Sequence, residues 1–385
     1  MREKNIEILS FMYFVIITIM YGFWFTNFEI TGLPYSMLLW SAFALATLSF
    51  LIDIYKSKEF IKLVLLAIIS ICVYISSHET IYILMVWSAI MAKNIGIKRS
   101  LTTIFIIRLI MFGIVIFSSF IGVLDIGEKI VSKGIYGTVV GYGLGYIHPN
   151  NLAQAVFYLA TLFLCIKNKN TTNIDYIIIF FIDIVTYMIT KSKTACILLA
   201  LLLLILFVIK KNIEGDLYKI YSKICLSITI LLPVFGTMLP LLILSADGKI
   251  KSIIYFWNGI FNQRFSNAAM MYLSFPLTLF GKIIDTDYLQ KAFGYNVIDN
   301  GYIFALFNFG IIGFLVVIML YFFTMKKLIK DKEYVYFSVI TVVLCFAFME
   351  NILRAMFMNF CMVFWCVVIS SDNNAAIQKS RIYER

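Results

Sequence analysis

Charge is scarce in this chain: 14% of its 385 residues are Asp, Glu, Lys or Arg, and the mean hydropathy is +0.94. That excludes an ordinary soluble domain and leaves no polar stretch long enough to form a separate one. The alternating pattern of a membrane barrel is also missing. The repeated apolar runs, about 20 residues each, must therefore cross lipid as helices, which satisfy their own backbone polar groups. Histidine occurs twice, as His78 and His148. The seven cysteines show no paired spacing near a loop, which argues against a disulfide framework and against a zinc site. There is no Walker loop, no H-E-x-x-H and no nucleophile elbow, so ATP-driven transport and serine-type hydrolysis lose ground. The first apolar run, 8–25, follows Arg2 and Lys4 and ends in no small-residue cleavage site, so it reads as a retained span. Neither an inverted repeat nor a low-complexity tail is visible.

What is present is a series of candidate spans at roughly 8–25, 33–52, 60–76, 79–92, 101–124, 148–166, 174–190, 194–209, 220–245, 301–325, 334–350 and 355–371. The expected fold is all-α: one polytopic membrane domain over 1–385, with about a dozen transmembrane helices. The net charge of +11 is carried in short Lys/Arg clusters between these runs, where it acts as an orientation signal rather than a nucleic-acid surface. Roughly twice as many Lys and Arg residues fall on the side that holds the N-terminus as on the other. Both termini are thus expected in the cytoplasm. The glycine-rich approach to His148, the hinge around Lys191, the long segment 246–300 and the turn at 350–354 are expected outside.

Those outward segments hold the polar concentrations. Gly141-Tyr-Gly-Leu-Gly-Tyr-Ile-His148-Pro149-Asn150-Asn151 leads into the sixth span. Proline is favoured at the first helical position, which makes His148 the expected cap. The free N–H groups that follow suit an anion such as a pyrophosphate. The imidazole can instead take a proton from an attacking hydroxyl, or simply order the loop. Lys191 and Lys193 flank Ser192 in a short outward break, against the orientation rule, and suit phosphate at the membrane surface or lipid headgroups. The segment 246–300 is far longer than a connection needs. Its stretches 253–261 and 268–280 are expected to lie on or dip into the interface as short helices. Arg264, a lone guanidinium between them, suits bidentate binding of phosphate. The segment closes with Asp299-Asn300-Gly301-Tyr302 and leads into a span with Gly310 and Gly313 as close-packing positions. Asp285-Thr286-Asp287 has the spacing of a nucleotide-sugar metal site. It lies outside, where nucleotide sugars are absent, so no metal is expected. Within the spans, Arg108 is expected to snorkel toward the inner boundary and Asp183 to face a partner or a wet cavity. Glu350 and Arg354, four apart, are expected to pair.

Taken together, the lead into His148-Pro149-Asn150, the hinge Thr190-Lys191-Ser192-Lys193-Thr194, the long loop with Arg264 and the Asp299-Asn300-Gly301-Tyr302 closure resemble the O-antigen and capsular polysaccharide repeat-unit polymerases of the Wzy type. The match is best over roughly 137–315, and Ser192-Lys193-Thr194 stands where many relatives carry Ser-Arg-Thr. The resemblance implies a GT-C-like membrane glycosyltransferase of the bacterial cytoplasmic membrane, metal-independent, cofactor-free and inverting. It would move a growing glycan from undecaprenyl pyrophosphate to a hydroxyl of the next lipid-linked repeat unit, for capsule, exopolysaccharide or O-antigen. Its implied partners are that lipid-linked oligosaccharide, membrane lipid, and a chain-length regulator and flippase of the same pathway, with no nucleic acid. Arg264 is then the main pyrophosphate ligand and His148 a base or phosphate ligand, with Asn150, Lys191, Lys193, Asp299 and Tyr302 contacting substrate. A ligase-like glycan transferase shares the donor. A flippase for the same lipid belongs to another class and predicts polar residues spread along the spans.

Overall fold

Long apolar sequences with few breakers fold here into helices whose outward faces stay greasy. The computed structural model describes residues 2–54, 59–132, 137–294, 298–353 and 359–370. Its helices are α1 (Arg2–Gly22), α2 (Gly32–Ile54), α3 (Phe60–Ser77), α4 (Ile81–Ile95) and α5 (Ile97–Phe120), then α6 (Pro149–Lys167), α7 (Asn173–Thr190), α8 (Lys193–Lys210) and α9 (Asp216–Ser245). After these come α10 (Gly248–Ile260), α11 (Arg264–Ser274), α12 (Thr286–Phe293), α13 (Gly301–Lys330) and α14 (Tyr334–Met349). Among the described residues, nine helices are long and apolar enough to cross a membrane, and the chain is an all-α, multi-pass membrane protein. Large apolar side chains such as Trp40, Phe181 and Ile197 remain mostly exposed, as lipid-facing residues do.

The other three expected spans are helical but short, for a reason that hydropathy does not carry. α4 has 15 residues, and twelve of them are buried inside the bundle. It is enclosed by protein and need not match a bilayer. α14 is equally enclosed. In the twelfth span, 355–358 lies outside the described residues, and the rest is a 3₁₀ segment (Phe360–Trp365) followed by one helical turn, α15 (Cys366–Ile369).

With little hydrophobic drive between helices in lipid, small polar contacts align them. Asn94 of α4 donates to Ser10 and Ser49 at 3.1 and 3.2 Å, and Tyr13 donates to the Leu84 carbonyl at 3.0 Å. Arg108 departs from expectation. It does not run to a boundary but is buried against the end of α1, donating to the carbonyls of Tyr21 (3.0 Å) and Gly22 (2.6 Å). These are C-terminal carbonyls of the helix, and a cation there also meets the negative end of the helix dipole.

The loop 246–300 is more deeply built in than an interfacial loop. α10 does leave Ile250, Ile253, Phe256 and Trp257 exposed, as an interfacial helix would. α11 instead packs on α9, burying Phe265, Ala268, Ala269 and Met271. Beyond it, extended chain at 275–282 inserts beside α13, which is broken at Gly310 (φ 71°, ψ 176°). The amides of Ile311 and Ile312 donate to the carbonyls of Thr278 (3.0 Å) and Leu279 (2.9 Å), and Lys282 N–H donates to Phe307 (3.0 Å). Gly310 packs closely, as expected, against the backbone of Leu279, Phe280 and Gly281, and it also breaks the helix, which was not expected; Gly313 packs closely on Val73 and Tyr82. A two-stranded antiparallel hairpin, β1 (Lys129–Ser132) with β2 (Thr138–Gly141), was not expected either; it runs in register from Lys129↔Gly141 to Ser132↔Thr138.

Candidate functional site

His148 begins α6 as the sequence grammar requires. Its backbone is extended (φ −139°, ψ 144°), Pro149 follows at the first helical position, and the imidazole Nδ1 accepts the Asn150 N–H at 3.1 Å. The approach is tied down on two sides. Ile147 N–H donates to the Phe25 carbonyl at 2.9 Å, and Tyr142 N–H donates to the Ile189 carbonyl at 3.0 Å. A methyl group on Gly141 would sit 2.5 Å from the Thr190 carbonyl oxygen and 3.2 Å from the Pro149 ring, so only glycine permits this approach. The His148 corner and the Lys191 hinge are thereby neighbours.

Arg264 arrives from the other side. Asn262 and Gln263 turn the chain through left-handed conformations (φ 51° and 60°). Asn258 of α10 then caps the new helix, its Oδ1 accepting Phe265 N–H (3.1 Å) and Ser266 N–H (3.2 Å). The guanidinium is not lone. Nη2 lies 2.8 Å from Glu350 Oε1, Nε lies 3.8 Å from Asp299 Oδ2, and Nη1 donates to the Met349 carbonyl. Arg264 therefore binds the C-terminal end of α14 as well as two carboxylates, a favourable place for a cation. Glu350, expected to pair with Arg354, pairs with Arg264; Arg354 lies outside the described residues. Asp299 is positioned by its neighbour: the buried Asn300 accepts Tyr302 and Ile303 N–H groups (3.0 and 3.1 Å) and donates to the Gly236 carbonyl (2.9 Å).

These pieces meet electrostatically. Burial lowers the His148 pKa below the ordinary 6.5, the Lys129 ammonium lowers it further, and the Asp299 carboxylate opposes both. His148, Lys129, Asp299, Arg264 and Glu350 thus belong to one end of the bundle, drawn from five separate stretches of sequence.

The remaining expected residues are placed differently. Asn150 contributes its backbone N–H to the His148 cap. Lys191 terminates α7 in a left-handed conformation (φ 56°), its N–H on Tyr187, and Lys193 starts α8. Lys193 lines a cavity of about 320 Å³ between α7 and α8 together with Asp183, Tyr187 and Cys196. Asp183 thus lines a cavity whose other walls, Phe180, Ile184, Ile197 and Ala200, are mostly apolar. Tyr302 is wholly buried, with its ring on Gly236 and its hydroxyl donated to the Leu344 carbonyl at 2.8 Å, which makes it a packing residue. Asp285 caps α12 by accepting Tyr288 N–H at 2.9 Å. Sequence reasoning missed the roles of Glu350, Lys129 and Asn258. Only the presence of acidic and amide residues at the same end of the bundle hinted at them.

The cap makes a prediction. His148→Ala should cost about 0.5–2 kcal/mol, the usual worth of an N-cap, and His148→Asn should retain most of it. Because the folded pKa is depressed, the unfolded chain binds the proton first. Stability should be unchanged above about pH 6.5 and fall as pH drops from there toward the lower folded value. Thermal melts at pH 5.5 and 7.5 check this, and a pH dependence undiminished in His148→Asn would refute it.

Comparison with protein-family models, with characterised proteins and with solved structures finds no match to this chain.

Proposed function

We propose that the chain is a membrane glycosyltransferase that polymerises lipid-linked oligosaccharide repeat units, moving the growing glycan from a polyprenyl pyrophosphate to a hydroxyl of the next unit. The observation that carries this reading is the convergence of Arg264, Asp299 and His148 at one end of the bundle, beside the lysine hinge. Transfer from pyrophosphate needs fixed cations where leaving-group charge develops, at a low-dielectric boundary. Arg264, Lys191, Lys193 and Lys129 supply them without a metal. The carboxylates on Arg264 hold its fork in a set orientation before substrate arrives. A dianionic pyrophosphate competes with them for the same donors.

On this reading the site faces outward from the bacterial cytoplasmic membrane and both termini lie inside. Against the flippase reading, Arg108 is committed to α1 carbonyls, and the cavity it lines with Phe14, Ser88 and Tyr158 holds only about 20 Å³.

A chain-length experiment tests the proposal. In a strain lacking the gene, surface glycan should collapse to single repeat units, and the wild-type gene should restore long chains. Lipid-linked units trapped inside the cell would point to a flippase instead. Reporter fusions at 170, 270 and 330 should read inside, outside and inside; a cytoplasmic signal at 270 would refute the orientation.

A further inference from the structure

We infer that His148 serves this site as an Nε2–H hydrogen-bond donor to the leaving phosphate, and that Asp299 takes the proton of the attacking hydroxyl. The inference rests on the proposed function and assigns roles within it. A neutral imidazole carries one N–H and one lone pair. The lone pair at Nδ1 is used, accepting the Asn150 amide at 3.1 Å, so the proton sits on Nε2. In that tautomer the outer nitrogen can only donate. To act as a base there, His148 would have to move its proton to Nδ1 and give up its own helix cap.

Carboxylates accept without such a change. Of the two on Arg264, Glu350 is held at 2.8 Å with an 11% exposed side chain, whereas Asp299 stands at 3.8 Å and is 24% exposed. Glu350 is thus the anchor and Asp299 the group nearer substrate. Asp299 pairs with Arg264 and lies within electrostatic reach of His148, so donor and acceptor stand at the same end of the bundle. In the step, the hydroxyl oxygen bonds to the anomeric carbon and the bond from that carbon to the pyrophosphate oxygen breaks. The pyrophosphate leaves with the electron pair, the His148 N–H meets its developing charge, and the hydroxyl proton passes to Asp299.

The tautomer can be read without any activity. With two histidines in the chain, ¹⁵N-histidine labelling of the whole protein in lipid nanodiscs gives two imidazoles, and His78→Gln assigns them. At pH 7.5 His148 should show a protonated Nε2 and an unprotonated Nδ1; the opposite tautomer overturns the inference. Chain-length assays in cells carry the second arm. His148→Gln, whose amide N–H takes the place of Nε2–H, should slow polymerisation less than His148→Ala does, with an unchanged pH profile. Asp299→Asn should slow polymerisation about 10²–10⁴-fold at every pH, the usual worth of a placed base, and Asp299→Glu should recover part of it. Polymer retained in Asp299→Asn and lost in His148→Gln, at equal protein levels, would also overturn the inference. If the deletion strain keeps long chains, the functional reading fails while the tautomer result still stands.

Discussion

Arg264→Ala should abolish long glycan chains and lower the amount of folded protein at the same time. The two losses have one source. The guanidinium joins α11 to the end of α14 through Glu350 and Met349, and to the start of α13 through Asp299. Removing it leaves the Glu350 carboxylate, 11% exposed, without its cation, and breaking a buried pair in this way costs about 3–5 kcal/mol. A lost surface glycan alone would therefore be uninformative. The double variant Arg264→Ala/Glu350→Gln separates the effects, because it removes the stranded charge with the cation. Its protein level, followed by size-exclusion chromatography in detergent, should return toward wild type while the glycan stays at single units. Arg264→Lys keeps the charge but not the fork, and should fold yet give strongly shortened chains. Long chains in the double variant would remove Arg264 from the site.

How much of this was legible differs from element to element. The long spans were legible because lipid-facing and core-facing residues are alike apolar, so length alone announces them. α4 and α14 blurred that signal: enclosed by protein, they are free of the bilayer's length requirement. The His148-Pro149-Asn150 corner was legible because capping is local, written in three adjacent residues. The partners of Arg264 were not, since Asp299 and Glu350 lie 35 and 86 positions away and only the tertiary fold brings them to it. Nor did the burial of α11 show in its composition, where Asn267 and Ser266 sit among apolar residues as they would on an interfacial helix. The hairpin escaped because its pairing lies in a short stretch between two membrane spans, where a plain loop is the simpler reading.

Gly310 was read as a small residue for close packing, and that packing, against the backbone of an inserted segment, carries the second large effect. Gly310→Ala should leave little folded protein. The residue has φ +71°, where a side chain costs about 1–2 kcal/mol on its own. The added methyl would also lie 2.2 Å from Gly281 N and 2.5 Å from both Leu279 O and Phe280 N. These are backbone atoms of the inserted 275–282 stretch, which cannot swing aside as a flexible side chain would. Relief requires that stretch to withdraw, giving up its bonds with Phe307, Ile311 and Ile312, each worth about 1 kcal/mol, and the bond from Ser76 to the Gly281 carbonyl. The expected total is about 5–6 kcal/mol. Gly113→Ala in α5 is the control: nothing lies within 4 Å of its added methyl, and alanine favours a helix interior by about 0.5–1 kcal/mol. Melting curves in detergent should show Gly113→Ala at or above wild type and Gly310→Ala far below it. Because the displaced stretch continues from α11, whose first residue is Arg264, any Gly310→Ala protein that does survive should also lose long chains. A Gly310→Ala protein that melts like wild type would mean that the α13 break is not held by the inserted segment.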